Sequence, residues 1–424
     1  MNTVRCKHLI IGGGVSGLMF ANENKEKDIL LVEKEKELGG YCRTIHQDGF
    51  IWDYAGHFFH FSNDEIKKFF QGKISNDSLV YKKKVTNIFY KDNVIDFPFQ
   101  TNIHQLDKSD FIDCLYDLFF KEEKEDYESF LDMLYGKFGR SITEMFLKPY
   151  NEKLYACDLN KLDQDAMGRF FPYANLEQII KSFKKEYQGS YNATFLYPKN
   201  GAKVFVDALA EDIPSSKILM NEKVISVDVE RKCVVTDKRE IFYEFLINTM
   251  PLNLLLESID KKSHQNFTSK LSWNKVLVFN LGFNKSSKFD DVHWAYFPEG
   301  KYNFYRVGFY NNILDHERLS LYVEIGCSPE STVDEQSALD KVLQGLRQAG
   351  IIDETHQLQS YCSIVMNPAY VHVDSQLHIR KEEIKSQLES VGVYTVGRYG
   401  DWKYCSIEDS MLDAISVSKK LEFL

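Results

Sequence analysis

The chain has 424 residues, of which 44% are hydrophobic, and its formal net charge is −10. This length suits two or three domains, or one domain with large insertions, and the hydrophobic share suffices for a sizeable core. The negative charge argues against a general nucleic-acid binder, because polyanions bind basic surfaces. No run approaches about 18 uninterrupted apolar residues, so we expect no membrane span.

The eight cysteines are scattered along the chain and include no CxxC pair. The opening stretch MNTVRCKHLIIGGG lacks the layout of a signal peptide and runs directly into a strand pattern. These observations predict a cytoplasmic protein without a structural zinc site, and we expect no metal.

The first predicted elements are a buried strand, a glycine turn and a helix, in CKHLIIGGGVSGLMFANE. Gly12, Gly14 and Gly17 fit the GxGxxG pattern, which allows a tight turn, close approach of a pyrophosphate and packing of the helix on the strand. The helix N-terminus then faces the phosphates. A second strand, DILLVEK, ends at Glu33, where an acid that binds ribose is expected. The pattern predicts a dinucleotide site, and the alternative is a glycine turn in an unrelated α/β domain.

The next segment, EKELGGYCRT, contains Gly39, Gly40 and Arg43. It resembles the second glycine motif of FAD enzymes in the amine oxidase and protoporphyrinogen oxidase superfamily. The resemblance implies an α/β fold with a Rossmann-like FAD-binding domain of the GR2 type, and it implies FAD rather than NAD.

Two later segments agree with that superfamily. In NEKVISVDVERKCVVTDKREIFYEFLINTMP, the opening strand near Val224 would border the adenine. In GVYTVGRYGDWKYCSIEDSMLDAISVSKKL, the resemblance implies cofactor contacts for Arg398 and for a helix that begins near Asp409. The FAD-binding domain would then consist of residues 1–88, 199–260 and 385–424.

Two insertions are expected between these pieces. Residues 101–190 have helical apolar spacing and predict a helical bundle, within which the run KEEKEDYE is interpreted as a solvated helix face rather than a partner site. Residues 89–100 and 261–384 contain alternating segments such as KVLVFNLGF, YRVGFY and LSLYVEIG, which predict an antiparallel β-sheet substrate domain.

Seven short blocks, in order and suitably spaced, resemble the UDP-galactopyranose mutase family, especially its eukaryotic type. They are WDYAGHFFHF, IDFPFQTNI, FLKPYNEKLYA, MGRFFPYANL, YNATFLYPKNGAKVF, HWAYFPEGKYNFYR and GRYGDWKY. The resemblance implies an isomerase that interconverts UDP-galactopyranose and UDP-galactofuranose through a sugar adduct at N5 of reduced, non-covalent FAD. It also implies NAD(P)H as a candidate reductant and a role in building a galactofuranose-containing polysaccharide. The oligomeric state stays open, and the helical insertion is the expected contact surface if an oligomer forms.

The same resemblance assigns four catalytic residues. His57 would lie beside the flavin, with Gly56 allowing the backbone to approach the ring, whereas His60 is expected to be structural. A histidine packed in an aromatic core is the alternative for His57. Arg306 and Arg169 would neutralise the diphosphate, because guanidinium groups bind phosphate in a bidentate manner; the alternative for each is an ordinary ion pair.

The fourth catalytic residue is Asn192, which would orient the sugar hydroxyls; the alternative is an asparagine that caps a turn. Further residues would contact the uridine, the sugar or the phosphates. They are Phe97, Gln100, Asn151, Trp294, Tyr296, Tyr370 and Tyr404.

The sequence departs from the mutases at two places. Phe97 stands where close relatives have tyrosine, and CSIEDS after Tyr404 is shorter than the family's segment. Three alternatives therefore stay open: a mutase of another nucleotide sugar, a flavin oxidoreductase such as an amine oxidase or desaturase, and a flavin-bound protein without turnover.

Overall fold

The computed structural model describes residues 2–184, 194–259 and 270–423, and it has the predicted mixed α/β architecture. One seven-stranded sheet is mainly parallel. Its spatial order is Val224–Asp228, Cys233–Thr236, Arg239–Asn248, Asn2–Ile11, Ile29–Val32 and Ile218–Leu219, with Val393–Thr395 pairing on Arg239–Asn248. Only the two pairings among the first three strands are antiparallel. The central strand reads as a continuous apolar run at its carboxyl end because both of its faces are buried.

Helices cover both faces of this sheet. The helix Val15–Glu23 packs against Ile407–Leu421 and Lys203–Ala210 on one side. On the other side Leu252–Ile259 and Ser375–Ser390 contribute to a separate apolar core. The sheet therefore has two buried faces, as expected for a Rossmann-like layer arrangement.

The second seven-stranded sheet is almost wholly antiparallel. Its order is Leu358–Met366, Lys275–Phe283, Ser320–Cys327, Arg306–Phe309, Trp294–Tyr296, Thr86–Tyr90 and Asn93–Asp96. The single parallel pairing joins Trp294–Tyr296 to Thr86–Tyr90. Two further helices, Tyr310–Leu314 and Glu335–Gln348, belong to this part of the chain.

Three small sheets link these layers. They pair Thr44–Gln47 with Phe50–Asp53, Leu79–Lys83 with Thr194–Pro198, and Ser272–Trp273 with Val371–His372. The short helices Asp64–Lys73 and Gly397–Gly400 lie in the connections.

The helical insertion contains Lys108–Phe120, Phe130–Ile142, Lys148–Tyr155 and Leu176–Ser182. Its core includes Phe138 and Phe146, and it continues into Ile88 and Tyr305 of the second sheet. The insertion and the second sheet therefore share one apolar core. Each of them forms a wall of the cavity described below, and the shared core fixes the position of both walls.

The charged run KEEKEDYE was predicted to be a solvated helix face; most of its charged residues are exposed, but the helical part of the prediction was wrong. The helix ends at Phe120, and residues 121–128 form a connection that is mostly exposed, although Tyr127 is buried. Lys121 caps the helix in an extended conformation, and the acidic Glu122 and Glu123 that follow it oppose the negative end of the helix dipole, so the helix does not continue.

The expected domain boundaries at 88 and 385 fall inside the strand Thr86–Tyr90 and the helix Ser375–Ser390. The division into domains stays a prediction, as does the insertion as the contact surface of an oligomer. Four apolar side chains on the helix Lys108–Phe120 are exposed by half or more: Ile112, Tyr116, Phe119 and Phe120. Among the described residues, no helix is long and apolar enough to cross a membrane.

Candidate functional site

The glycine turn brings three backbone segments close together. Gly12 has φ +102°, a conformation that residues with a Cβ rarely adopt. A Cβ on Gly17 would lie 2.0 Å from the Gly12 carbonyl oxygen, so only glycine allows the helix to pack this closely on the strand. Gly39 donates its N–H to the Gly13 carbonyl (2.7 Å), and a Cβ on Gly40 would lie 3.4 Å from Gly14 Cα. The two glycine motifs therefore form one backbone-walled cradle at the start of the helix Val15–Glu23.

Glu33 lies at the edge of this cradle and is buried. Its carboxylate accepts the N–H of Gly13 (2.6 Å) and the N–H of Glu35 (2.8 Å). Its backbone carbonyl accepts the N–H of Glu222 (2.9 Å), two residues before Val224. The residues expected at the ribose and the adenine are thus neighbours, although their assigned roles stay a prediction.

A cavity of about 480 Å³ lies between the second sheet, the helical insertion and the start of the helix Ile407–Leu421. Its volume is within the usual range for small-molecule sites. Nine of the predicted site residues line it: Gly56, Phe97, Asn151, Arg169, Trp294, Tyr296, Arg306, Tyr370 and Tyr404. Residues up to about 350 positions apart in the sequence are therefore brought to one cavity.

Arg306 reaches the cavity from a central strand of the second sheet. It pairs directly across the sheet with Glu324, whose Oε1 lies 2.5 Å from Arg306 Nη2. The Glu324 side chain is 1% exposed, and its Oε2 accepts the hydroxyl of Tyr305 (2.5 Å). Arg306 Nε is buried without a hydrogen-bond partner among the described residues. The arginine thus has one edge fixed by a buried carboxylate and a donor left over for a ligand.

Arg169 lies in the short helical turn Gly168–Phe170 at the mouth of the cavity. Its Nη2 donates to Asp409 Oδ1 (2.6 Å), and half of its side chain is exposed. The helix expected to begin near Asp409 in fact begins at Ile407, with Ser406 as its N-cap. Asp409 Oδ2 accepts the N–H and the hydroxyl of Ser406. The carboxylate of Asp409 therefore joins a capping box to an ion pair.

His57 is not among the residues that line the described cavity; it lies between Gly56 and Phe58, which do. Its Nδ1 is 3.0 Å from the Ala55 carbonyl. Burial, with smaller effects from the positive charge of Arg398 and Arg306, lowers the pKa of His57 to about 4. A neutral His57 donates from Nδ1 to Ala55, which leaves Nε2 as an acceptor. A Cβ on Gly56 would lie 2.4 Å from the Tyr322 hydroxyl, so packing in the second sheet also requires this glycine.

Aromatic rings form much of the cavity wall. Trp294 stacks on Phe58 with ring centroids 5.0 Å apart, and its indole N–H donates to the Tyr296 hydroxyl (3.0 Å). Tyr370 and Tyr404 stack at 5.9 Å. Burial raises the pKa of Tyr404 to about 12, so its hydroxyl stays a donor at neutral pH.

The other predicted residues lie behind the wall or outside the described residues. Gln100 is buried, and its Nε2 donates to the carbonyl of the lining residue Pro172. Arg398 Nε donates to the Cys405 carbonyl (3.1 Å), and its Cζ is 5.1 Å from the Tyr404 ring centroid. Arg43 Nε donates to the Gly40 carbonyl (2.8 Å). Asn192 lies outside the described residues. His60, expected to be structural, has Nδ1 2.7 Å from the Thr194 carbonyl.

The sequence analysis missed several cavity residues, among them Lys84, Tyr150, Tyr322 and Glu408. Lys84 places its Nζ 5.4 Å from the Phe97 ring centroid and 5.9 Å from that of Trp294, and burial lowers its pKa to about 8. Tyr150, Tyr322 and Glu408 also line the cavity. For Tyr322 one signal was available in the sequence. Tyr322 and Glu324 are two positions apart in an apolar strand, and a carboxylate buried in such a strand requires a partner. A lysine in the run KKK gives no such signal.

All eight cysteines are free, and no cluster of potential metal ligands occurs among the residues that the structure describes.

Residues 10–72 match the family described as NAD(P)-binding Rossmann-like domain. The corticosteroid-binding protein of Candida albicans is 25% identical over 283 residues, which are 60% of this chain and 53% of that protein. The chain thus spans about half the length of this relative.

Two solved structures match nearly the whole chain. A crystal structure of reduced UDP-galactopyranose mutase superposes with a TM-score of 0.93 at 23% identity, covering 99% of this chain and 94% of that one. A putative protoporphyrinogen oxidase from Exiguobacterium sp. 255-15 gives a TM-score of 0.80 at 15% identity, covering 100% of this chain and 99% of that one. The chain therefore has the fold that these two solved structures share, as the sequence blocks predicted.

Proposed function

We propose that this protein is a FAD-dependent isomerase that interconverts UDP-galactopyranose and UDP-galactofuranose. The observation that carries the proposal is the cavity wall, where Arg306, Arg169 and Lys84 bring three cationic side chains to one cavity. A nucleotide sugar has a diphosphate at its centre, and cationic groups among aromatic rings and hydroxyls suit such a ligand. The product would supply enzymes that build galactofuranose-containing glycans.

The glycine cradle fits FAD. The turn places Gly14 and Gly40 where side chains would fill the space, and the helix Val15–Glu23 starts at this point without an acidic residue in its first turn. A pyrophosphate would accept the free N–H groups at this helix start, and its charge is favoured there. Glu33 would bind the ribose hydroxyls in place of one of its present backbone partners. NAD(P)H is the candidate reductant.

Reduced flavin supplies a nucleophile that can attack the anomeric carbon of a sugar. The task of the protein is to hold the departing UDP close by until it returns. Arg306 carries the main part of this task because Glu324 fixes its orientation. Arg169 adds a second guanidinium from the cavity mouth, and Tyr296, Tyr370 and Tyr404 supply hydroxyl donors.

His57 acts as a hydrogen-bond acceptor in this scheme. With Nδ1 committed to Ala55, Nε2 carries a lone pair that can accept a proton from the flavin edge or a sugar hydroxyl. Phe97 and Trp294 flank the ligand with ring faces, while Asn151 has a buried Oδ1 without a hydrogen-bond partner among the described residues. Asn151 is therefore suited to accept an N–H from the uracil base, in line with its expected role.

The proposal is tested by incubating anaerobically reduced protein with UDP-galactofuranose and separating the sugar nucleotides by chromatography. We expect UDP-galactopyranose to accumulate with reduced protein, and no conversion with oxidised protein. Oxidation of an amine with release of peroxide would support a flavin oxidoreductase instead. Conversion of a different UDP-furanose, with UDP-galactofuranose left unchanged, would reassign the substrate.

A further inference from the structure

Glu408 is a buried carboxylate in the first turn of the helix Ile407–Leu421, and it lines the cavity. It is 3% exposed. Its Oε1 accepts the backbone N–H groups of Ser62 and Asn63, both at 2.7 Å, and its Oε2 accepts the Ser62 hydroxyl at 2.6 Å. A single side chain from the carboxyl end of the sequence thus binds three donors that lie about 346 residues earlier in the chain.

Ser62 is the last residue of the segment that we call the histidine loop, residues 57–62, and Asn63 follows it directly. The start of the loop is held where His57 contacts the Ala55 carbonyl. Its middle is held by paired backbone hydrogen bonds between Phe59 and Leu196 (both 3.1 Å). Glu408 holds the end of the loop, so the loop has separate anchors at its start, middle and end.

The contacts at the end of the loop depend on the polar end of the Glu408 side chain. Each oxygen of Glu408 has at least one donor, and the first turn of a helix favours a negative charge. Without this side chain, two backbone N–H groups would lose their acceptors beside a cavity wall. The next residue, Asp409, faces the other way and pairs with Arg169. Adjacent carboxylates therefore connect one helix start to two different walls of the cavity.

We propose that Glu408 is a positioning residue that fixes the histidine loop against the C-terminal helix and thereby sets the place of His57. The effect on the loop follows from the hydrogen bonds alone. The consequence for turnover rests on the function proposed above.

The test measures amide hydrogen exchange in peptides covering residues 56–63 of the full-length protein. Glu408→Ala removes all three contacts, so exchange in this segment should quicken about tenfold or more. Glu408→Gln keeps an oxygen for the two N–H groups and an amide for the Ser62 hydroxyl, so it should stay near the wild-type rate. Ser62→Ala removes one contact and should lie between them.

Asp413→Asn is the matched control, because Asp413 lies one turn later on the same helix and pairs with Lys403. It should leave exchange in residues 56–63 unchanged. Wild-type exchange in Glu408→Ala would overturn the inference, and so would equal acceleration in Glu408→Ala and Glu408→Gln. If Glu408→Ala does not fold, the other two variants decide the same question. Amide exchange in residues 56–63 should then be faster in Ser62→Ala than in Glu408→Gln.

Turnover gives the second readout. With UDP-galactofuranose, Glu408→Ala should lower kcat about tenfold and change KM less than about threefold, because the arginines of the other walls remain in place. Glu408→Gln should recover kcat. A rise in KM with unchanged kcat would contradict positioning of His57. If no variant, including the wild type, converts the sugar nucleotide, the proposed function fails while the exchange rates still decide the role of Glu408.

Discussion

The glycine cradle and the cavity wall are both suited to bind phosphate, but they are built from different groups. In the cradle, the close contacts are between backbone atoms, as where Gly17 packs on Gly12 and Gly39 bonds to Gly13. In the cavity, positive charge comes from long side chains, and two of them already bind a carboxylate. Arg306 pairs with Glu324 and Arg169 pairs with Asp409.

This difference has consequences for affinity. At Gly12 and Gly17 the cradle has no space for an added Cβ, so small steric changes at these two positions should abolish binding there. The arginines of the cavity are shared between the protein and any incoming diphosphate, so changes in their partners should tune affinity in either direction. The buried Glu324 holds Arg306 in place, whereas the more exposed Asp409 competes for Arg169.

The largest effect is expected from Gly17→Ala in the cradle. The added Cβ would collide with the Gly12 carbonyl at 2.0 Å, so the turn must open. We expect loss of bound flavin and a decrease of about 3 kcal/mol in the free energy of unfolding. Flavin absorbance of the purified protein and denaturant unfolding measure both quantities.

Gly72→Ala is the control, because this helical glycine has no atom within 4 Å of an added Cβ. It should keep flavin and gain up to about 1 kcal/mol of stability. Full flavin content in Gly17→Ala would refute the backbone cradle.

The next effect is expected from Arg306→Lys in the cavity. Lysine keeps a charge beside the buried Glu324, which preserves the fold, but loses the bidentate geometry. We expect KM for the UDP-sugar to rise about tenfold while flavin content is unchanged, and Arg306→Ala to raise it further, by about 100-fold. Steady-state kinetics measure this change.

Arg318→Ala removes an arginine that lies over the Phe50 ring, outside the cavity lining, and serves as the control. Its KM should match the wild type. Unchanged KM in Arg306→Ala would contradict the assignment of the diphosphate site.

A smaller effect of opposite sign is expected from Asp409→Asn. The asparagine oxygen can still cap the helix, but the competing charge next to Arg169 is removed. We expect UDP to bind about two- to fivefold more tightly at low ionic strength, with the gain shrinking as salt is added. Titration calorimetry at two salt concentrations measures this, and weaker binding would show that Asp409 orients Arg169 instead.

The smallest effect is expected from the titration of Lys84. Burial lowers its pKa to about 8, so the side chain is charged below this pH and neutral above it. Affinity for UDP should therefore fall a few-fold as the pH rises through about 8, and Lys84→Met should remove that dependence. A wild-type affinity that stays flat between pH 7 and 9 would place Lys84 away from the bound anion.

The sequence was most informative where neighbouring residues determine geometry. The strand, turn and helix around Gly12 follow from local spacing, and so do the strands Lys275–Phe283 and Ser320–Cys327. The cavity depends on long-range contacts such as Ser62 with Glu408, which no local pattern encodes. Its residues were anticipated only through their resemblance to a known family, and their roles stay proposals.

Two misplacements have local physical causes. The helix predicted to include KEEKEDYE ends at Phe120, since the acidic run follows the negative end of the helix. The final helix was predicted to start near Asp409, but it starts two residues earlier, at Ile407, because Ser406 and Asp409 form a capping box there. No prediction was made for Lys84, because its position near two rings depends on the second sheet.

The proposed function requires that the cavity hold a nucleotide sugar for a reaction with no net redox change. The most direct measurement mixes anaerobically reduced protein with excess UDP-galactofuranose and records flavin absorbance and product together. The account predicts many turnovers per protein molecule while the flavin remains reduced throughout. Oxidation of one flavin for each sugar consumed would contradict it.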